Sequence, residues 1–270
     1  MPTYLATLPV AFAQTHGMVS RHDITPLKRC SSMPHSLLNL AEAAAYLHLD
    51  PTDVRALATH GEIPCERRGD DLLFRRGELK NWSSQRILGL RGKHLHDYHS
   101  RGVLHPHDLS DHAAILTDLS NPAHLEPHLT ARTRASVFRQ VVDLAEKTGL
   151  LYDPVDLRDE LRAREELCST GIEGGAAILH PRFHDPYMVE DSFVCIGRTQ
   201  SPVPFGSPDG KRTDIFFLAC CQDDRIHLHT LARISLVCHA TELLARLRAA
   251  ESDDDMHAAV RECEAALLKG

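Results

Sequence analysis

Helix-like and strand-like segments alternate from residue 133 to the C-terminus, and this alternation limits the available folds more than any other sequence feature. Apolar residues recur with helical spacing over 133–147 and 154–166, whereas short apolar runs bounded by turn residues are typical of strands. The predicted strands are 176–179, 192–196 and 213–221, and further helices are predicted to begin at Arg225 and Ser252. This order predicts an α/β domain whose mixed sheet carries helices on both faces.

A second, smaller pattern occupies residues 36–86. It begins with a short Ala-rich helix, predicted over 41–47. The next predicted helix has Asp50 as its cap, Pro51 at its first position and Gly61 at its end, which are the positions that these residue types favour. Two helices joined by a tight turn predict a helix-turn-helix unit.

A hairpin follows the two short helices. Strand-like residues 64–68 and 72–75 flank Gly69-Asp70-Asp71, and a short helix is predicted over 77–82. The layout is that of a small winged helix-turn-helix. The run from residue 38 to residue 82 also resembles the excisionase and MerR-like DNA-binding family over nearly all of its length.

That resemblance implies contact with DNA, with the second helix in the major groove and the wing against the backbone. The side chains expected at DNA are Arg55, His60, Arg67, Arg68, Arg75 and Arg76. Residues 36–86 carry 7 Lys/Arg against 8 Asp/Glu, so binding is expected to be weak and salt-sensitive unless a dimer doubles the contacts. The alternative is a protein-interaction module that has kept the fold.

The other residues complete the predicted organisation. Residues 1–35 lack amphipathic periodicity and are predicted to be disordered, residues 87–112 form a linker, and residues 103–270 form the α/β domain. The linker histidines are His94, His96, His99, His105, His107 and His112. They include HxH pairs but no Cys or paired carboxylate partners, so a solvated linker is favoured and no metal site is predicted.

Composition excludes several classes of protein. The 270 residues are 43% hydrophobic and 25% charged, which allows two modest domains with separate cores. Residues 103–270 carry 17 Lys/Arg against 27 Asp/Glu, and so acidic a domain is a poor nucleic-acid binder. Because no apolar run approaches the ~18 to 20 residues that span a bilayer, we expect a cytoplasmic protein without membrane insertion.

The run REELCSTGIEGGAAILH, from Arg164 to His180, is the most informative in the chain. It places a histidine directly after an apolar strand that a Gly-rich loop precedes. Neutral imidazole is a nucleophile at physiological pH, and its phosphoramidate is labile enough to be passed on. A lone histidine after a strand is more often structural, so the functional interpretation depends on the surrounding run.

Together with blocks at 214–221, 226–231 and 247–252, this run resembles the fructose/mannitol and nitrogen-branch enzyme IIA proteins of the phosphotransferase system over about 160 residues. The resemblance implies that His180 accepts a phosphoryl group from an HPr-like phosphocarrier protein. It also implies that His227, rather than His229, orients the reactive ring and that Arg164 steadies the phosphate. No cofactor is expected.

Phosphoryl transfer depends mainly on positioning and charge neutralisation, which predicts an open surface with cations and N–H donors around His180. The loop residues expected to bind phosphate are Ser169, Thr170, Gly171 and Gly174. The family usually has Pro before the reactive histidine and often Gly after it, whereas this chain has Leu179 and Pro181. That departure could alter partner docking or the rate of transfer.

The combined interpretation is a regulator in which a phosphorylatable IIA-like domain is joined to a DNA-binding-like domain. Two alternatives remain open at this point. One is a sugar-specific IIA transport component that passes phosphate to a IIB partner, and the other is a transcription regulator whose IIA-like module is not phosphorylated.

Overall fold

The computed structural model describes residues 37–95, 98, 115–183 and 187–269. Residues 35–270 belong to one compact unit. The predicted disorder of residues 1–35 and most of the His-rich stretch lie outside the described residues. Within the described part of the chain, no helix is long and apolar enough to cross a bilayer.

The N-terminal elements form the predicted winged helix-turn-helix. They are, in chain order, β1 Leu37–Leu38, α1 Leu40–Leu47, α2 Pro51–Thr59, β2 Glu66–Arg68, β3 Asp71–Arg75 and α3 Arg76–Gly89. β3 lies between β1 and β2 in an antiparallel sheet. Asn39 and Glu42 cap α1 reciprocally, and the Asp50 carboxylate accepts from the Thr52 amide at 2.8 Å to cap α2.

α3 is more than twice as long as the helix predicted over 77–82. Its first half packs in the small core of the winged domain through Leu79, and its second half carries Ile87 and Leu88 into the core of the larger domain. Residues 87–95 therefore differ from the solvated linker predicted there: they continue α3 and form a further helical turn, with Leu95 buried. The linker prediction failed there because it relied on the glycines and histidines around these few apolar residues.

The C-terminal elements alternate as predicted. They are α4 Ile115–Asp118, β4 Leu125–Leu129, α5 Arg134–Lys147, α6 Pro154–Leu167, β5 Gly171–Ile172, β6 Ala176–Leu179, β7 Phe193–Val203, β8 Thr213–Cys220, α7 Asp224–Ala240, α8 Leu243–Ala249 and α9 Asp253–Lys269. The five strands form one mixed sheet in the order β4-β7-β8-β6-β5, with β6 parallel to β8 and β7 antiparallel to it. The sequence had not predicted α4, β4, β5 or α8 as elements.

Helices cover both faces of this sheet, as predicted. Ile215 and Phe217 of β8 pack in a core with α7, α8, α9 and the end of α3. Phe216 and Leu218 point the other way, into a core with α5 and α6. This strict alternation in β8 arises because successive strand side chains point to opposite faces. The winged domain thus adds its last helix to one of the two layers.

A buried ion pair fixes the helical layer that contains α7 and α9. Arg233 Nη1 of α7 donates to Glu264 Oε1 of α9 at 3.0 Å, and both side chains are at most 2% exposed. Glu264 also accepts from the amides of Leu116 and Thr117, at 2.9 and 2.8 Å, and from the Thr117 hydroxyl. A single carboxylate therefore joins three helices.

We expect Glu264→Ala to lower the free energy of unfolding by about 3–5 kcal/mol, because it leaves the Arg233 guanidinium buried without its counter-charge. Glu262→Ala, on the same helix, removes the exposed pair with Arg246 and is expected to cost under ~1 kcal/mol. Urea unfolding of the two variants measures the difference. Equal losses would contradict this role for Glu264.

Candidate functional site

The parallel pairing of β6 and β8 brings the two predicted site histidines together. His180 follows the last residue of β6, and His227 lies in the first turn of α7, just after β8. Leu179 and Leu218 are partners in the register, so the two strands end side by side. The ring centroids of His180 and His227 lie 5.0 Å apart. The site is thus at the carboxyl ends of two parallel strands, where α/β sheets commonly place ligands.

Arg164 holds the ring of His180 from the end of α6. Its Nε donates to His180 Nε2 at 2.9 Å, while its Nη1 donates to the Cys168 carbonyl at 3.1 Å. The other ring nitrogen, Nδ1, lies 2.9 Å from the Ile178 carbonyl oxygen. A guanidinium can only donate and a carbonyl can only accept. The contacts therefore fix the tautomer, with the proton on Nδ1 and a lone pair on Nε2.

His227 lies beside His180, whereas His229 does not. His227 is fully buried, and its Nε2 is 3.4 Å from the Ser84 hydroxyl of α3. His229, two residues further along α7, is on another side of the helix. Burial lowers the pKa of His229 to about 4, with further lowering by the Arg233 and His48 charges, so this ring is neutral at pH 7.

The expectation of an open surface around His180 is wrong. The exposed fraction of His180 is 1%, and Arg164 is buried to the same extent. α3, which the sequence alone had placed in a separate domain, packs against the neighbouring His227. Its Ser84 touches His227, and its Arg76 Nε donates to Asp224 Oδ2 at 2.8 Å, in the first turn of α7. The winged domain therefore covers the strand ends.

Lys80 lies between these two contacts on α3 and was not predicted as a site residue. It is 3% exposed, and its Nζ has no hydrogen-bond partner among the described residues. Burial lowers the pKa of Lys80 to about 8, an effect that Asp224 partly offsets and Arg164 reinforces. A helical spacing of four, from Arg76 through Lys80 to Ser84, would have revealed this face if α3 had been predicted at its full length.

The structure does not support a phosphate-binding role for the Gly-rich loop. The amide and the hydroxyl of Thr170 donate hydrogen bonds to the buried Glu165 carboxylate, at 3.0 and 2.6 Å. The Gly171 amide donates to the Ser169 hydroxyl, which itself donates to the Phe205 carbonyl. The amide of Gly174 donates to Asp209 Oδ2 at 3.0 Å.

Distance also separates part of this loop from the site. Gly174 precedes β6 and His180 follows it, so the four strand residues, at about 3.3 Å each, lie between them. The assignment of Ser169, Thr170, Gly171 and Gly174 to phosphate binding is therefore corrected, because their donors already have protein acceptors.

The residues predicted to contact DNA divide into two groups. Arg55, Arg67 and Arg68 are exposed on α2 and β2. His60 is exposed too, with its Nδ1 2.7 Å from the carbonyl of Ala56 on its own helix.

Three arginines of the wing have acidic partners, and the first of them, Arg68, has its Nη2 3.7 Å from Glu66 Oε2. Arg75 Nε donates to Glu66 at 2.6 Å, although the residue remains exposed. Arg76 pairs with Asp224 across the domain boundary and has the Tyr46 ring 5.7 Å away, so its expected contact with DNA is corrected. No group of three or more potential metal ligands occurs among the residues that the structure describes.

The fold places the larger domain in the α/β class and the smaller one among the winged helix-turn-helix domains. The family model described as phosphoenolpyruvate-dependent sugar phosphotransferase system, EIIA 2, matches residues 119–263, and a helix-turn-helix domain model matches residues 37–87. The chain therefore belongs to the EIIA 2 family of the phosphotransferase system, with a helix-turn-helix domain ahead of the family's own.

Similar proteins include nitrogen regulatory proteins and a component of a fructose-specific phosphotransferase system. The nitrogen regulatory protein of Klebsiella oxytoca is 25% identical over 158 residues, which cover 57% of this chain and 94% of that protein. The fructose-specific EIIABC component of Bacillus subtilis (strain 168) is 26% identical over 141 residues, which cover 52% of this chain but only 22% of that protein. The crystal structure of nitrogen regulatory protein IIA-Ntr from Neisseria meningitidis matches with a TM-score of 0.49 and 23% identity, covering 54% of this chain and 99% of that one.

The tautomer of His180 can be tested directly by nitrogen-15 NMR of the imidazole. We expect Nδ1 to carry the proton and Nε2 to show the shift of an unprotonated nitrogen, because Arg164 donates to it. Arg164→Gln should let the two tautomers mix, whereas Arg162→Gln, an exposed neighbour on the same helix, should leave the ring unchanged. A proton on Nε2 in the wild-type protein would contradict the assigned contacts.

Proposed function

We propose that the protein is a phosphotransferase-system regulator that takes up a phosphoryl group on His180 Nε2 from an HPr-like phosphocarrier protein. The observation that carries this proposal is the contact between Arg164 and His180. It leaves the lone pair of the ring on Nε2 and holds a guanidinium where phosphoryl oxygens would arrive. Nη2 of Arg164 is buried without a hydrogen-bond partner among the described residues, so it can donate to an anion that enters the site.

Transfer requires no proton movement in this arrangement. The Nε2 lone pair attacks phosphorus as the N–P bond of the donor phosphohistidine breaks. The donor ring leaves as neutral imidazole, and the positive ring charge passes to His180, whose Nδ1 keeps its proton toward the Ile178 carbonyl. Arg164 exchanges its bond to Nε2 for bonds to phosphoryl oxygens, and His227 supports the face of the ring.

Access is controlled by α3. Because His180 is buried, a donor protein must displace α3 before its phosphohistidine can reach Nε2. The cost of that displacement is set by a partly exposed ion pair and by the apolar contacts of Ile87 and Leu88. We infer that uptake of phosphate and the position of the winged domain are coupled, as expected of a regulator.

Incubation of the full chain with phosphoenolpyruvate, enzyme I and an HPr-like carrier tests the proposal. We expect one phosphoryl group per chain, measured by mass spectrometry under alkaline conditions that preserve phosphohistidine, and none in His180→Gln. His128→Gln, at an exposed position on β4, is the matched control and should be phosphorylated normally. Phosphate on His180→Gln, or none on the wild type, would contradict the proposal.

Onward transfer distinguishes the transport alternative. If the phosphorylated chain passes its phosphoryl group rapidly to a sugar-specific IIB protein, it is a transport component. If the group stays on the chain until hydrolysis, the regulatory function is supported. A chain that is not phosphorylated at all leaves the IIA-like domain as a binding module.

DNA binding is a second proposed function, and the exposure of Arg55, Arg67 and Arg68 favours it. These three guanidinium groups lie on α2 and the wing, the elements that winged helix-turn-helix proteins apply to DNA. Arg76 is omitted because it is paired with Asp224.

We expect the double variant Arg67→Gln/Arg68→Gln to bind duplex DNA more weakly than the wild type and to reduce the slope of log K against log salt by about 2, one for each lost phosphate contact. Arg132→Gln, exposed on the IIA domain, should leave affinity unchanged. Fluorescence anisotropy over a salt series gives both quantities. An unchanged slope in the double variant would favour a protein-interaction role for the winged domain.

A further inference from the structure

The face of α3 that meets the IIA domain carries a buried cation that no contact in the described structure neutralises directly. Arg76 pairs with Asp224 and Ser84 touches His227, and Lys80 lies one helical turn from each of them. Because residues four apart share a helix face, Lys80 points at the surface between Asp224 and His227. The ring of His180 lies beside that of His227 there, with the centroids 5.0 Å apart and the planes tilted by 55°.

A buried ammonium without hydrogen bonds is costly, and its presence therefore needs a reason. The exposed fraction of Lys80 is 3%, and its Nζ makes no hydrogen bond within the described residues. The charged and titratable groups that act on it are Asp224 at the start of α7, Cys221 directly after β8, and Glu160 and Arg164 on α6. Arg164 is the guanidinium that holds His180 Nε2.

We propose that Lys80 is a phosphate-binding residue that the winged domain contributes to the IIA site. When His180 carries a phosphoryl group, the Lys80 ammonium pairs with its oxygens alongside Arg164. This inference rests on the proposed phosphorylation of His180 and adds to it the group that links the two domains. A dianion at Nε2 satisfies the unpartnered Nζ of Lys80 and Nη2 of Arg164 together.

The consequence is a phosphate-dependent attachment of α3. In the unphosphorylated protein, α3 lies on the site with an ammonium that has no hydrogen-bond partner among the described residues, which favours its displacement by a donor. In the phosphorylated protein, the same ammonium becomes the attractive partner of the phosphoryl group. Phosphorylation thus strengthens the hold of the IIA domain on α3 and restrains the DNA-facing elements that are joined to it.

The test uses the full chain, phosphorylated with phosphoramidate, which transfers its phosphoryl group to imidazole and leaves as ammonia. Phosphorus-31 NMR follows the phosphohistidine signal between pH 6.5 and 9.5 and yields the proton affinity of the phosphohistidine group, imidazole ring and phosphoryl oxygens together. A cation in contact favours the dianion. We therefore expect Lys80→Gln to raise this proton affinity on the order of tenfold, Lys80→Arg to restore it, and exposed Lys93→Gln to leave it unchanged.

The outcomes separate the two proposals. If the wild type forms phosphohistidine and Lys80→Gln titrates like the wild type, the role of Lys80 is overturned and the phosphocarrier function stands. If no phosphohistidine forms on the wild type, the proposed function itself fails. A residue with only a structural role would not move the titration of the phosphoryl group, and the Lys80→Arg variant keeps the test valid if Lys80→Gln folds poorly.

Discussion

The packing of α3 onto the first turn of α7 determines the environment of His180. Ile87 and Leu88 of α3 pack in the core of the larger domain, and Arg76 of the same helix forms an ion pair with Asp224. Between these contacts α3 lies against His227, and both site histidines at the ends of β6 and β8 are buried. Electrostatic interactions there act in a medium of lower polarity, where they are stronger than at a surface. Because of the same packing, a donor protein can reach the site only when α3 moves.

Charge balance in the closed site favours an anion. Arg164 and Lys80 bring two cations to the neighbourhood of a neutral imidazole. Of the nearby carboxylates, that of Asp224 is engaged with Arg76 and that of Glu160 accepts from the Phe183 amide. Each of the two cations keeps one buried donor atom without a hydrogen-bond partner among the described residues. A doubly negative phosphoryl group on His180 would accept hydrogen bonds from both of these donor atoms. A purely structural histidine would not account for two such donors.

Much of the fold followed from the sequence because its patterns are local. Apolar periodicity located most helices and strands, and the resemblance carried by the run ending in His180 and by the block at 226–231 identified three side chains that the structure brings together. Contacts between distant segments were beyond such patterns: the burial of His180 depends on a helix about 100 residues earlier in the chain. The prediction that the Gly-rich loop binds phosphate failed for a similar reason. The carboxylates of Glu165 and Asp209 accept hydrogen bonds from the loop amides, and these contacts cannot be inferred from local sequence patterns.

The rate at which diethyl pyrocarbonate modifies His180 in the full chain, read by mass spectrometry, tests most directly whether α3 covers the site. With His128 as the exposed internal reference, we expect His180 to react much more slowly than His128. We also expect Arg76→Glu, which sets like charges against each other at Asp224, to speed the reaction of His180 without changing that of His128. Equal reactivity of the two histidines in the wild-type protein would contradict the account.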